Sequence, residues 1–254
     1  MIFPNKKQPI PQLPSGCKIP RPDQFDWQAH FSRLAGQTQV SFLRQFYQNP
    51  PLSGATPLDQ ASFLALDLET TGLSPEKDRI ISIGFIPFDI RKIYCSGGRN
   101  FLINPGTSLA EASIPIHRIT HSELNEKPKF DRTLPLLLQA MENRIVVAHC
   151  HAIERYFLAD AVGRFFNSVL EFPMIDTMTL EKRLHNSWKR NFLGLSFFRQ
   201  RRVSFRLDAS RSRYGLPRYR PHHALTDALA TAELFQAQVQ ALYAPNTPVR
   251  SLWV

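Results

Sequence analysis

The sequence predicts an α/β fold, a mixed sheet flanked by helices, and three patterns carry that prediction. Two apolar runs of strand length, 62–68 and 80–88, are followed after only Asp89-Ile90-Arg91 by a third extended stretch, and so short a turn demands antiparallel pairing. A later run, Ile145-Val146-Val147-Ala148, is apolar without alternation, as a strand buried on both faces should be. Helical patterns surround that run and continue to a long stretch ending near Leu242, so β/α units follow the hairpins.

Taken in order, residues 1–22 hold six prolines and read as extended. Trp27, Phe31, Leu34 and Ala35 then fall at helical spacing, and after Gly36 the stripe resumes with Val40, Leu43, Phe46 and Tyr47 until Asn49-Pro50-Pro51 stops it. These two short helices are expected to lie on the main domain, because an exposed aromatic stripe invites aggregation. The first strand opens at Ser62 and runs into Glu69-Thr70-Thr71-Gly72-Leu73, the second spans Ile80 to Phe88, and the third spans Lys92 to Ile103 with a bulge at Gly97-Gly98. Helices are expected near 108–124 and 130–142, then a strand from Arg144 to Ala148, a helix from Ala152 to Asn167, another beginning at Met174-Ile175-Asp176, and the last from Ala224. The expected organisation is a Pro-rich and short-helix extension over 1–58, a main domain over 59–243 that contains a basic segment at 182–220, and a tail over 244–254.

Composition excludes several classes. The 254 residues are 43% hydrophobic and 20% charged, enough for one sizeable core and too apolar for a disordered polyelectrolyte. No apolar run approaches the ~18–20 residues needed to span a bilayer, so no membrane association is expected. The stretch from Met1 to Lys7 lacks the apolar region of a secretory signal. Cys17, Cys95 and Cys150 are scattered and form no disulfide framework, which points to a cytoplasmic location. Twelve Lys or Arg and one acid, Asp208, fall between Lys182 and Arg220, so this segment carries +11 and the remainder of the chain −1. Interleaved Trp188, Phe192, Phe197, Phe198, Phe205, Tyr214 and Tyr219 suit a nucleic-acid strand, whose phosphates meet cations while its bases stack on rings; a solubilising loop is the ordinary alternative and a membrane surface the lesser one.

Three stretches place carboxylates where they are costly. Asp67 and Glu69 are two apart on a strand and share a face, where they repel unless a cation sits between them, and hard oxygen ligands suit Mg²⁺ or Mn²⁺. Asp227 falls in the first turn of the last helix, five positions after His222, an arrangement that suits a base beside a metal ligand. Glu154 sits on a helix among Ile153, Phe157 and Leu158, just after His149-Cys150-His151. Taken singly, each acid also has an ordinary structural reading as a solvated strand end, a helix-start residue or a salt-bridge partner. A zinc site built from His149, Cys150, His151, His222 and His223 is set aside, since three adjacent residues do not easily close one tetrahedron.

In this order the motifs resemble the DEDDh 3′→5′ exonucleases, the family that includes the proofreading epsilon subunit of bacterial DNA polymerase III. Leu66-Asp67-Leu68-Glu69-Thr70-Thr71-Gly72-Leu73 is similar to the first motif, and His222-x-Ala224-x-x-Asp227-Ala228 to the last. Ile114 to Thr120 is similar to the Ile-His-Gly-Ile-Thr segment with Arg118 at the glycine, and Ile175-Asp176-Thr177 to the Asp-Thr pair. The middle motif departs: aligning Ala148-His149 puts Cys150 at the usual Asn and Glu154 at the usual Asp. The resemblance covers residues 61–242 and implies an RNase H-like five-stranded mixed sheet with the first three strands antiparallel. It implies two divalent ions, Mg²⁺ or Mn²⁺, held by Asp67, Glu69, Glu154 and Asp227, with His222 as base and Glu69 counted beside it among the catalytic groups. It also implies that Leu68, Thr70, Thr71, His117 and His149 meet the substrate. Single-stranded DNA is the expected substrate and nucleoside 5′-monophosphates the products. Set against this are an RNA 3′-exonuclease of the RNase T type and a non-catalytic accessory subunit that binds nucleic acid, or a polymerase through the N-terminal helices. A tail of about a dozen residues after the last helix suggests a stand-alone nuclease of repair or turnover.

Overall fold

The computed structural model describes residues 24–106, 119–191 and 203–254. The apolar runs form a five-stranded sheet in the order β3-β2-β1-β4-β5, where β1 is Phe63–Thr70, β2 Ile80–Phe88, β3 Arg99–Leu102, β4 Ile145–Ala148 and β5 Met174–Asp176. β2 pairs antiparallel with both β1 and β3, while β4 runs parallel to β1 and β5 parallel to β4. This is the mixed sheet that the early hairpins and the later helix–strand alternation predict. All four residues of β4 are buried, in keeping with a parallel strand covered on both faces.

Two expectations need correction. The third strand occupies only Arg99–Leu102, because Phe88 bridges back to Ile93 and Cys95–Gly97 closes into a 3-10 turn, so the residues before Arg99 do not join the ladder. Met174-Ile175-Asp176 does not begin a helix. It is strand β5, all three side chains buried, and the helix starts one residue later at Thr177. A triplet ending in a helix-compatible Asp-Thr pair carries no period by which strand and helix could be told apart. Most of the helix expected near 108–124 lies outside the described residues; within them a short helix, α3, starts only at His121 and runs to Asn125, opened by a capping box between an extended Thr120 and Glu123.

The remaining helices cover the sheet: α4 is Phe130–Met141, α5 Ala152–Phe166, α6 Thr177–Asn191, α7 Leu207–Arg213 and α8 Ala224–Leu242. The longest of them, α8, lies against β1 and β2, where Phe235 meets Phe63 and Phe88 at ring separations of 5.0 and 5.8 Å. One glycine sets how close it comes. A Cβ on Gly84 in β2 would stand 2.1 Å from the Ala224 carbonyl carbon and 2.2 Å from the Leu225 nitrogen, so the start of α8 rests directly on strand backbone. Gly84 is the cross-strand partner of Asp67, which brings the first turn of α8 beside the carboxylate pair.

The two N-terminal helices, α1 (Trp27–Gln37) and α2 (Ser41–Gln48), bury the predicted aromatic stripe in the same core. Phe31 packs on Phe46 and Tyr47, and Phe42 meets Phe166 at the end of α5. Their apolar faces are thus turned inward, leaving the outer polar faces to any partner. Residues after α8 are also knit to the body: Val249, Leu252 and Trp253 are buried, and the Val254 N–H donates to the Met174 carbonyl at 3.0 Å.

The Tyr47 hydroxyl donates to the Val169 carbonyl at 3.0 Å and accepts from the Glu171 N–H at 3.1 Å, tying α2 to the loop after α5. Tyr47→Phe removes both part-buried bonds and should cost about 0.5–1.5 kcal/mol. An unchanged urea midpoint would show that this bridge holds nothing.

Candidate active site

β1 delivers its two carboxylates through ordinary strand geometry. Asp67 and Glu69 point to one face while Leu66 and Leu68 enter the core on the other. The ladder then breaks, with a register shift between Glu69 and Thr70. Beyond it Asp78 organises the turn, accepting from the Thr71 hydroxyl at 3.0 Å and the Ser74 N–H at 2.8 Å, and the Arg79 N–H donates to the Thr71 hydroxyl oxygen at 3.0 Å. Thr70 donates its hydroxyl to the Gly72 carbonyl. The Thr70 and Thr71 hydroxyls are therefore engaged within the turn that follows β1.

The start of α8 supplies the second set. His223 caps the helix, its Nδ1 accepting from the Thr226 N–H at 3.3 Å. One residue earlier His222 takes a left-handed backbone, φ +68°, and its N–H donates to Asp227 Oδ2 at 2.7 Å. That bond ties the residue before the helix to the first turn. As a result, ligand-capable atoms of Glu69, His222 and Asp227 lie within 4.8 Å of one another. Among the described residues this is the group of three or more such side chains so gathered.

α5 adds Glu154 in its first turn, only 2% exposed. Its Oε2 is buried with no hydrogen-bond partner in the protein. Burial, then repulsion from Glu69, Glu154 and Asp227, drives the Asp67 carboxyl well above the usual range. Burial and Asp227 push Glu69 up to about 8. Burial, then Asp176 and Glu69, raises Glu154 well above normal. Asp227 is raised by burial as well, against the pull of the His222 N–H. Four acids that repel in a shielded pocket, one with an orphaned oxygen, form a hard oxygen donor set that fits divalent cations such as Mg²⁺ and Mn²⁺.

Asp176 behaves differently. Burial works to raise it, but hydrogen bonds from His151 and Thr179 and from the Cys150 N–H outweigh that and hold it below the usual carboxylate range. It is an anchor that fixes the left-handed turn at Cys150, φ +77°, from which α5 and Glu154 depart. The Cys150 thiol is pushed up to about 11 by burial and by Glu154 and Asp176.

His149 departs from expectation. Its Nε2 pairs with the Phe205 carbonyl at 2.9 Å and its Nδ1 with the Thr177 hydroxyl at 2.8 Å, so both ring nitrogens are spent within the chain. Burial lowers its pKa, and Nε2–H donates to the Phe205 carbonyl while the Thr177 hydroxyl also donates to the Ala148 carbonyl at 3.1 Å. His149 thus works as a strut between β4, α6 and the start of α7. His117, expected against the substrate, lies outside the described residues, as do Phe192, Phe197 and Phe198 of the basic segment.

The described part of that segment also corrects the picture of a continuous footprint. Arg211 is 3% exposed and ion-paired to Glu233; Arg213 pairs with Glu181; Arg183 donates to the Ser251 and Trp253 carbonyls. At least these three of the twelve cations hold the protein together. Arg218 and Arg220 remain exposed on the loop leading to His222.

A sheet of this topology, with carboxylates from its central strand and from two helix starts around a histidine, defines a nuclease of the DEDDh exonuclease class, which uses divalent metal ions. The sequence profile of the exonuclease (RNase T) family matches residues 64–235, and the chain belongs to that family. DNA polymerase III PolC-type of Thermotoga petrophila is 32% identical over 191 residues, 75% of this chain and 13% of that protein. DNA polymerase III subunit epsilon of Treponema pallidum is 28% identical over 181 residues, 71% of this chain and 78% of that one. This chain therefore spans a small part of the PolC-type relative and most of the epsilon subunit. Among solved structures, the nuclease domain of 3′hExo, a DEDDh family member bound to rAMP, superposes with a TM-score of 0.55 over 71% of this chain and 92% of that one; at 17% identity the likeness is one of fold. No described helix is long and apolar enough to cross a membrane.

Two outcomes follow from the site's construction. Gly84→Ala forces α8 off β2 and should cost about 1–3 kcal/mol as overpacking does, with the His222–Asp227 turn displaced from Glu69; an unchanged denaturation midpoint would mean that the close approach is not required. A carboxylate with a raised folded-state pKa binds its proton more tightly folded than unfolded, so stability falls as pH rises. For Glu69 that window runs from its ordinary 4.5 to about 8. Calorimetry on protein held in EDTA should show its melting temperature declining across this range, less so in Glu69→Gln, with Mg²⁺ or Mn²⁺ restoring most at the upper end. A profile that climbs through the window in both proteins would contradict the assignment.

Proposed function

We propose that this chain is a divalent-metal-dependent 3′→5′ exonuclease that removes nucleoside 5′-monophosphates from single-stranded DNA. The observation that carries the reading is the convergence of Glu69, His222 and Asp227 within 4.8 Å, in the same repelling field as Asp67 and Glu154. Asp67, Glu69, Glu154 and Asp227 would hold the ions. When bound, such ions neutralise charge on a phosphodiester and acidify water.

The chain's own groups do the rest. His222 takes the proton of the attacking water, the general-base role that histidine fills most often. Its backbone N–H, donated to Asp227, holds the residue beside the carboxylates. The backbone from Leu68 to Thr71, stiffened by Asp78, forms the surface for the terminal nucleotide, and His117 meets the same nucleotide from the segment before α3. Glu154 replaces a shorter acid with its charge kept, and its orphaned oxygen supports a ligand role. Relatives named for DNA polymerase III favour DNA. RNA is the second reading, favoured by the rAMP bound in the structurally similar 3′hExo domain.

A time course on 5′-labelled DNA and RNA oligomers of one sequence, with Mg²⁺, Mn²⁺ or EDTA, tests the proposal. Stepwise shortening from the 3′ end, faster on DNA and abolished by EDTA, is expected. Asp67→Asn should abolish it, His222→Asn should lower kcat by about 10²–10⁴-fold as loss of a general base does, and Glu154→Asp should retain more activity than Glu154→Gln. Intact oligomers in the presence of folded, metal-loaded protein would leave only the accessory-subunit reading.

A further inference from the structure

We infer that Arg211, with Tyr219 and Glu233, forms a latch that positions the His222 imidazole, an inference that rests on the catalytic reading of His222 above. None of the three touches the carboxylate cluster. They act on the loop that carries the base.

The loop between α7 and His222 is held at Gly215, Leu216, Pro217 and Tyr219. α7 ends in a two-bond turn: the Gly215 N–H donates to Ser212 and the Leu216 N–H to Arg211, with Gly215 at φ +68°. The Arg211 guanidinium then reaches three carriers at once. Its Nη1 donates to the Ala230 carbonyl on α8 at 2.6 Å, and its Nη2 to the Pro217 carbonyl at 2.8 Å and to Glu233 Oε2 at 2.6 Å. The Tyr219 ring lies 4.7 Å from that guanidinium and its hydroxyl donates to Glu233 Oε1 at 2.9 Å. Glu233 is itself on α8, so both of its carboxylate oxygens receive the loop's anchors.

Only Arg220 and Pro221 separate this latch from His222. On the other side the His222 N–H is tied to Asp227 at 2.7 Å. The base thus has a left-handed backbone clamped from both directions, and every clamp returns to the helix that carries Asp227. A planar five-donor group serving three acceptors and a ring face is a task for arginine and not for lysine. A solvating surface cation has no reason to be 3% exposed with both terminal nitrogens engaged.

Tyr219→Phe removes one hydroxyl from a partly exposed ring and leaves the fold's core untouched, so it separates positioning from folding. With saturating DNA and metal, kcat should fall about tenfold, since an ångström-scale misplacement of a catalytic group costs up to ~10²-fold, while KM and the melting temperature stay near wild type. Arg211→Lys should fall further. Imidazole NMR signals of His222, assigned by their loss in His222→Asn, should shift or broaden in Tyr219→Phe. Unchanged kcat with unchanged His222 signals overturns the latch, as does a loss of activity that only tracks a loss of folded protein. If the wild type proves inactive, the functional reading fails while the NMR comparison still decides whether Tyr219 and Arg211 set the imidazole.

Discussion

Mutual repulsion among Asp67, Glu69, Glu154 and Asp227 works against folding, and the elements bearing them are arranged to withstand it. β1 is paired with β4 over Phe63–Ala65 and with β2 along its whole length, where Asp67 lies opposite Gly84 and Glu69 opposite Ser82, so the carboxylates cannot move without disturbing the middle of the sheet. α8 cannot retreat either, because Phe235 is locked between Phe63 and Phe88, all essentially fully buried. Each such ring contributes about 1.5–3 kcal/mol, a scale comparable with the desolvation that the acids suffer. The apolar contacts on one side of the sheet thus sustain an unfavourable charge arrangement at its end, and a cation is the natural counterweight.

Much of this was legible in the sequence because chemistry and period coincided there. Asp67 and Glu69 stood out as charges inside an apolar strand, and Asp227 with His222 as a base and an acid at a helix entrance. What escaped were features whose meaning exists only across the fold. Gly84 reads as an ordinary glycine in a strand until α8 is seen resting on it. Asp176 belonged to a recognised pair, but its place on a strand, and its role as the anchor of Cys150 and His151, depend on β4 lying alongside. His149 looked like a substrate contact because nothing local reveals that Phe205, far along the chain, takes its second nitrogen.

The basic segment shows the same limit from the other direction. Summed charge identified it, yet summation treats every arginine alike. Arg211 is drawn inward by Glu233 and Arg213, though exposed, is paired with Glu181, acids that lie outside the segment and that no window over it could pair with them. The surface offered to a phosphate backbone is correspondingly smaller than the local net charge implies.

The course of the chain after α8 also bears on how the molecule meets copies of itself. Trp253 bridges Ile175 and the Val254 N–H occupies the Met174 carbonyl, so the outer flank of β5 is already taken. The opposite flank, β3, is four residues long and begins with an exposed arginine. Neither margin offers a long, bare rail for an incoming strand, so zipper-like stacking of one sheet onto another is discouraged at both ends.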